Sequence, residues 1–275
     1  MRGINLSTIR SRLKLRLQRE ISARFARRPL LLRNSQPLVS FTFDDFPQSA
    51  LHCGGAILRS HGVTGTFFAS FGLMGRTAPT GQIFVEEDLI ELIEQQHEIG
   101  CHTFDHCHSW GAAPSAFRAS IIRNRTALAA YFPQMRFRTF SYPITFPRPR
   151  TKWETGGCFD CCRGGGQNLN SGTIDLAQLS AFLIEKSRSD FSAIAGVIED
   201  NARHNGWLIF ATHDVSNSPT PFGCTPALFN EIVNRSINSG ATVVPVSEAL
   251  DIARNRTQPG SRTHATESVV AKIRA

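Results

Sequence analysis

The sequence predicts one α/β domain built on a mainly parallel sheet, and three observations carry that prediction. Two short apolar runs rich in β-branched and aromatic residues, 38–43 and 207–212, read as buried strands. Segments with helical periodicity lie between them, the alternation that a parallel sheet requires. Both runs stop at polar clusters, Asp44-Asp45 and His213-Asp214, and a third cluster, His102-Thr103-Phe104-Asp105-His106, follows Glu98-Ile99-Gly100-Cys101. The C-terminal ends of parallel strands form the active-site face of such folds, so three clusters of this kind are hard to read as unrelated turns. A chain of 275 residues is long enough for one sizeable core, and 41% hydrophobic and 19% charged residues are ordinary globular usage.

An N-terminal arm, 1–36, precedes the body. Leu6, Ile9, Leu13, Leu17, Ile21 and Phe25 recur at helical spacing, with arginines on the other faces. Pro37 ends the arm and strand 38–43 follows. Residues 48–60 read as a helix stopping near Gly62, 63–69 as a second strand, and 72–81, rich in Gly, Thr and Pro, as a loop. Residues 86–96 form a helix whose first-turn acids complement the macrodipole. Beyond the histidine cluster, 114–131 is helical and 136–141 and 159–162 are strands. Helices are predicted over 175–186 and 190–204, the second stopping at Asn205-Gly206. Strand 207–212, helix 225–238, strand 242–244 and helix 247–254 complete a body spanning 37–255, and 256–275 form a polar tail.

The net charge of +8 is unevenly placed. Residues 1–33 hold ten basic side chains and a single acid, Glu20, hence +9; the remaining 20 basic and 21 acidic residues leave −1. The basic character therefore belongs to the arm and gives no reason to expect nucleic-acid binding. The arm lacks the continuous apolar segment of a secretory signal, and no stretch is long and apolar enough to span a bilayer. The simpler expectation is a helix packing its Leu/Ile stripe on the body; the alternative is a basic amphipathic helix, residues 1–33, lying on an anionic membrane surface.

Two adjacent carboxylates closing a buried strand do not both ionise cheaply unless a cation or a proton sits between them. One of Asp44 and Asp45 is thus suited to hold a metal and the other to act as a base; an acidic Asp-Asp-Phe-Pro turn is the plainer alternative. His102 and His106 fall within zinc-ligand spacing, and a carboxylate from elsewhere would complete a facial set with open positions; the alternative is a chance surface pair.

Thr42-Phe43-Asp44-Asp45, the His102–His106 cluster and the apolar run ending at His213 resemble the first, second and fifth motifs of the polysaccharide deacetylases of the NodB-homology group, carbohydrate esterase family 4. Order and spacing match from about residue 38 to about residue 250. The resemblance implies a distorted (β/α) barrel with about seven parallel strands. It implies removal of N-acetyl groups from an N-acetylglucosamine-containing oligo- or polysaccharide, the N-acetylated glycan being the partner. Asp45, His102 and His106 would then hold a divalent metal, zinc first, with cobalt, manganese or nickel as alternatives. Asp44 would be the general base and His213 the acid on the leaving amine. The loop of Tyr142, Pro143 and Ile144 would face substrate, with the Ile144 N–H donating to the oxyanion. The chain departs from the family at its third and fourth motifs. Ser141 stands where an arginine usually holds the base, and Arg163 lies where Asp and Trp are usual. Arg163 is expected to supply the missing cation to Asp44; the alternative is a solvated arginine opening a glycine loop. Asp160 and Asp175 are the candidates to support His213. Two other classes stay open: a metal amidohydrolase on a non-sugar C–N bond, and a glycan-binding module with a decayed site.

Seven cysteines, an odd number, predict a reducing, cytoplasmic setting, with the arm as an added membrane-surface element. Cys158-x-x-Cys161-Cys162 lacks a second pair at zinc-finger spacing, so a structural role is expected.

Overall fold

The computed structural model describes residues 6–144 and 146–255, with backbone alone for 6–12. Seven strands, β1 (Leu38–Asp45), β2 (Thr66–Ala69), β3 (Glu98–Cys101), β4 (Thr139–Ser141), β5 (Cys161–Arg163), β6 (Phe182–Leu183) and β7 (Trp207–Thr212), pair in the order β6-β7-β1-β2-β3-β4-β5. Every pairing is parallel. A short β8 (Thr242–Val243) joins the start of β1. The two ends of the sheet are bridged by extended chain. Leu179 N–H donates to the Cys162 carbonyl at 2.8 Å and Gly164 N–H to the Leu179 carbonyl at 2.8 Å, while β6, a few residues on, pairs with β7. The distorted barrel with seven parallel strands that the sequence implied is present.

Both faces of the strands are buried, as parallel sheets require. Val39, Phe41 and Phe43 of β1 join Phe67, Phe210 and the helices Phe191–His204 and Pro226–Asn238 in one apolar layer. Leu38, Leu183, Trp207, Ile209 and Ala211 form the other cluster, against Val246, Ala249 and Leu250 of the last helix, Val246–Asn255. Each fully buried aromatic or aliphatic side chain contributes about 1.5–3 kcal/mol. That is ample to fix strand register even though the strand tips carry charge. At the opposite end, half-buried Glu98 accepts from Thr66 Oγ1 at 2.8 Å, Thr139 Oγ1 at 2.7 Å and the Ser247 N–H at 3.0 Å. It thereby ties β2, β3 and β4 to the first turn of the last helix.

Several elements differ from the sequence expectation. The stretch 175–186 is not a helix: it holds the end of strand Thr173–Asp175, then β6, and a single 3-10 turn, Ile184–Lys186. Its apolar residues alternate, Leu179, Ala181 and Leu183 all facing one core cluster, and its N–H groups find non-helical partners, Leu179 on Cys162 of β5, Ser180 on Asn170 and Leu183 on Gln167, so tertiary pairing overrides local helix preference. A helix, Pro149–Gly156, appears where none was expected, with Pro149 at its first turn. β3 occupies the Glu98-Ile99-Gly100-Cys101 run, and 48–60 splits into a π-helical turn, Ala50–Gly55, and a short α-helix, Ala56–Ser60. The polar tail, 256–275, lies outside the described residues.

The arm forms a helix, Leu6–Arg24; among the described side chains of its apolar stripe Leu13, Leu17 and Phe25 face solvent and Ile21 is half-buried. Gln18 and Ser22 are the buried positions, whereas Leu13 and Leu17 are each 60% exposed. Lys152 Nζ donates to the Ser22 carbonyl at 2.7 Å and Ser22 Oγ to Gln178 Oε1 at 2.5 Å. Pro29–Leu31 then pairs antiparallel with Thr173–Asp175. Polar anchoring has replaced the expected apolar contact. Among the described residues no helix is long and apolar enough to cross a membrane.

Burial lowers the His97 pKa to about 4, with Arg59 acting in the same direction. The ring accepts from the Gly65 N–H at Nδ1 (3.0 Å), so its proton sits on Nε2. The folded state keeps this histidine neutral, while the unfolded chain protonates it near pH 6.5. Its contribution is complete above that pH and is lost as pH falls toward 4. Urea unfolding at pH 7 and pH 5 is expected to show wild type losing on the order of 1–3 kcal/mol more than His97→Gln over that interval.

Candidate active site

Register brings the predicted residues to one mouth. Cys101 pairs with Phe140, and Ser141 with Arg163. His102, the next residue after Cys101, is therefore level with Ser141 and Arg163. On the other side of β1, Phe43 pairs with Thr212, which sets Asp44 level with His213. Strand alternation would aim Asp44 and Asp45 to opposite faces. The chain avoids this by turning left-handed at Asp45 (φ +63°) and Phe46 (φ +56°). Phe46 is fully buried, stacked on Phe84 with ring centroids 4.7 Å apart, and its packing holds the turn. Thr103, His106 and Ile144 also have positive φ, so backbone strain is concentrated in the loops around this mouth.

Asp45 Oδ1 lies 3.3 Å from His106 Nε2 and 3.6 Å from His102 Nε2. That oxygen is buried and takes no hydrogen bond, whereas Oδ2 accepts from Thr80 Oγ1 at 3.1 Å. His102 Nδ1 is 2.8 Å from the Ser141 carbonyl, which only accepts, so the proton is on Nδ1 and Nε2 presents a lone pair. Burial lowers the His102 pKa to about 4, against the pull of Asp44, so the ring is neutral at physiological pH. An orphaned buried carboxylate oxygen facing two imidazole nitrogens, one of them fixed in the ligating tautomer, fits a divalent cation. The loop bearing His106 is pinned from behind. Asp105 accepts from Ser120 Oγ at 2.8 Å and pairs with Arg123, and Thr103 Oγ1 accepts from the Cys107 N–H at 2.9 Å. A second group, His52, Asp88 and Glu91, is also close enough to hold an ion. There Asp88 already accepts from the Val85 N–H (2.8 Å) and Gln48 (3.1 Å) and meets His52 at 2.7 Å; those bonds account for it as a helix cap.

Asp44 is buried beside a different partner set. Arg163 pairs with Asp44 Oδ1 and donates to Ser141 Oγ at 2.6 Å, and Ser141 Oγ donates to the same Oδ1 at 3.1 Å. Burial alone would raise the Asp44 pKa; the Arg163 cation, with His102 and His213, outweighs it and holds the carboxyl well below the usual range. Arg163 is 2% exposed, lies over the Phe68 ring at 5.2 Å and donates to the Gly164 carbonyl at 3.0 Å, so it is not a solvated loop arginine.

The expected supports of His213 lie elsewhere. Asp160 is bound by Arg138 at 2.8 Å, and Asp175 by Lys152 at 2.6 Å and the Arg28 N–H at 2.8 Å. His213 is oriented instead through Nδ1 to the Phe222 carbonyl at 3.2 Å. Glu185 is the carboxylate that reaches this corner. It sits two residues past Leu183, which pairs with Ala211, and is thus level with His213. Its Oε2 is buried without a hydrogen bond, and burial raises its pKa, with His213 acting to lower it and Asp44 to raise it. The helix expected over 175–186 concealed it, and no sequence signal marked Thr80 either. In the third-motif loop, Tyr142 is buried in the wall, its hydroxyl on the Ala177 carbonyl at 3.1 Å, whereas Ile144 is 57% exposed at the rim. Pro143 links the two. Cys161 and Cys162 are buried in the core clusters and Cys158 is exposed; burial pushes the Cys162 thiol up to about 12, the condition of an unreactive packing residue.

Residues 32–154 match the family model described as polysaccharide deacetylase. The barrel is similar to a peptidoglycan deacetylase from Bacillus subtilis (15% identity, 81% of this chain and 94% of that one, TM-score 0.53). It is similar to a chitin deacetylase from the fungus Colletotrichum lindemuthianum (16% identity, 79% and 89%, TM-score 0.54). It is also similar to a CE4-family pseudoenzyme from Bacillus anthracis (15% identity, 80% and 67%, TM-score 0.55). Identities this low show a shared fold. Among curated protein sequences none matches the chain. Over residues 32–154 the chain thus resembles the polysaccharide deacetylases, and its barrel is the NodB-homology fold.

Removing one partner of a buried ion pair strands the other. Arg163→Met is therefore expected to cost about 3–5 kcal/mol in chemical denaturation. Asp44→Asn combined with Arg163→Met should cost clearly less than the sum of the two single changes, which a double-mutant cycle measures.

Proposed function

We propose that the chain is a metal-dependent hydrolase that removes acetyl groups from N-acetylglucosamine units of an oligo- or polysaccharide. The observation that carries this reading is the division of the two carboxylates: Asp44 is saturated on Oδ1 by a cation and a hydroxyl, while Asp45 Oδ1 is left bare between two imidazoles. A decayed site has no need to keep both arrangements buried side by side. The family match and the named deacetylases among the structural neighbours support the reaction class; a pseudoenzyme among those neighbours makes the intact residues the deciding point.

Asp45, His102 and His106 would hold the ion, and their nitrogen and oxygen donors suit zinc, with cobalt, manganese or nickel as alternatives. When bound, a divalent ion polarises an amide carbonyl and acidifies a water, which offsets the weak basicity of a carboxylate held as low as Asp44. Asp44 takes the proton of the attacking water. Arg163 and Ser141 both bind Oδ1, so Oδ2 is the oxygen available for it. The Ile144 N–H, at the exposed rim, would donate to the developing oxyanion. His213, with Nδ1–H given to the Phe222 carbonyl, has Nε2 to carry a proton to the leaving nitrogen. The water oxygen bonds to the acetyl carbon, the C–N bond breaks, and acetate and a free amino sugar leave.

Acetate release from N-acetylated chito-oligosaccharides, compared with linear and cyclic non-sugar amides, tests the reading in metal-supplemented protein. Turnover on the glycans is expected, and Asp44→Asn should reduce it by about a hundred- to ten-thousand-fold. Release confined to non-sugar amides would favour an amidohydrolase, and none at all a binding module.

A further inference from the structure

The arm helix exposes the apolar residues that the sequence led one to expect inside. Leu13 and Leu17, one turn apart on one face, are each 60% exposed, with Arg16 and Arg24 exposed beside them, and Phe25 at the helix end is 57% exposed. The helix is nevertheless not loose. Ser22 is buried against Lys152 and Gln178, and the Arg19 guanidinium lies 5.7 Å over the Phe146 ring, next to the third-motif loop. At its C-terminal end the patch continues into a cavity of about 720 Å³ lined by Arg27, Arg118, Ile122 and Trp153. Arg27 and Arg118 are exposed, Trp153 is 72% exposed and Ile122 52%. The acids on this face, Glu20 and Glu154, are matched by Arg24 and Arg150.

We propose that this face docks on a membrane surface containing anionic lipid. Two features select that occupant. Residues 1–33 carry +9 while the rest of the chain carries −1, so the attraction is confined to the arm, which supplies Lys14, Arg16 and Arg24 to this face. Leucines interleaved with arginines on a rigidly mounted helix, with an exposed tryptophan beside arginines, are what an interfacial helix uses: apolar groups enter the acyl boundary while guanidinium groups meet headgroup phosphates. An apolar partner surface would leave the arginines unmatched, and nucleic acid would leave the leucines unmatched. Docking is a binding property and stands or falls separately from the proposed deacetylation.

The test is co-sedimentation of the full chain with vesicles of phosphatidylcholine alone and of phosphatidylcholine mixed with phosphatidylglycerol. Binding to the anionic vesicles is expected, about tenfold or more above the neutral ones and weakening as salt rises. Leu13→Ser with Leu17→Ser should lower it by about tenfold with unchanged thermal unfolding, since both positions are solvent-exposed in the free protein. Trp153 emission should shift to the blue on binding, which Trp153→Phe removes. Equal binding to both vesicle types, no binding to either, or full binding by the double serine variant overturns the proposal. So does a dimer in light scattering that the serine variant converts to monomer without any change in vesicle binding; that result assigns the leucines to a second copy of the chain.

Discussion

The burial of a negative charge at the end of β1 is the constraint on which the rest of the mouth depends. Asp44 is 8% exposed, and an unpaired carboxylate at such a depth would protonate or unfold its surroundings. β5 brings Arg163 to it, and β4 brings Ser141 to hold the arginine and the carboxylate together. The same Ser141 supplies, through its backbone carbonyl, the acceptor that fixes the His102 tautomer. One residue thus links Asp44 to His102, one of the two imidazoles that face Asp45. The cation beside Asp44 comes from Arg163 on the neighbouring strand, and Ser141 bonds to both.

The architecture separates what must be stable from what must be strained. Glu98 and the last helix close the N-terminal end of the barrel with satisfied hydrogen bonds and apolar packing. Positive-φ residues collect at the C-terminal end, at Asp45, Phe46, Thr103, His106 and Ile144. Two of these turns are braced from behind: Phe46 by Phe84, and the 103–107 loop by Ser120 and Arg123. Backbone strain of about 1–3 kcal/mol per residue persists only where packing over-determines it, and here the packing lies directly behind the strain.

Much of this was legible in the sequence because buried parallel strands advertise themselves. The runs at β1 and β7, the helix Pro114–Tyr131 and the helix Phe191–His204 with its left-handed Asn205 cap follow from periodicity and capping alone. Asp44, Asp45, His102 and His106 were legible because their spacing is local. What failed was non-local. Residues 175–186 have helical composition, yet the stretch is held extended by Cys162 of β5, by β7 and by the side chains of Asn170 and Gln167, and with that stretch went Glu185. Asp160 and Asp175 were plausible supports of His213 until Arg138 and Lys152 took them. The arm's spacing defines a stripe but not which side meets the body; Gln18 and Ser22 are the buried contacts, and Leu13 and Leu17 stay exposed.

The central claim is that two adjacent carboxylates do different work, Asp45 as a ligand and Asp44 as a base outside the metal's donor set. Calorimetric titration of zinc into metal-free protein, comparing wild type with Asp44→Asn and Asp45→Ala, tests it most directly. The account predicts about one equivalent bound tightly by wild type and by Asp44→Asn, and loss of that binding in Asp45→Ala. Equal loss in both variants, or undiminished binding in Asp45→Ala, would contradict it.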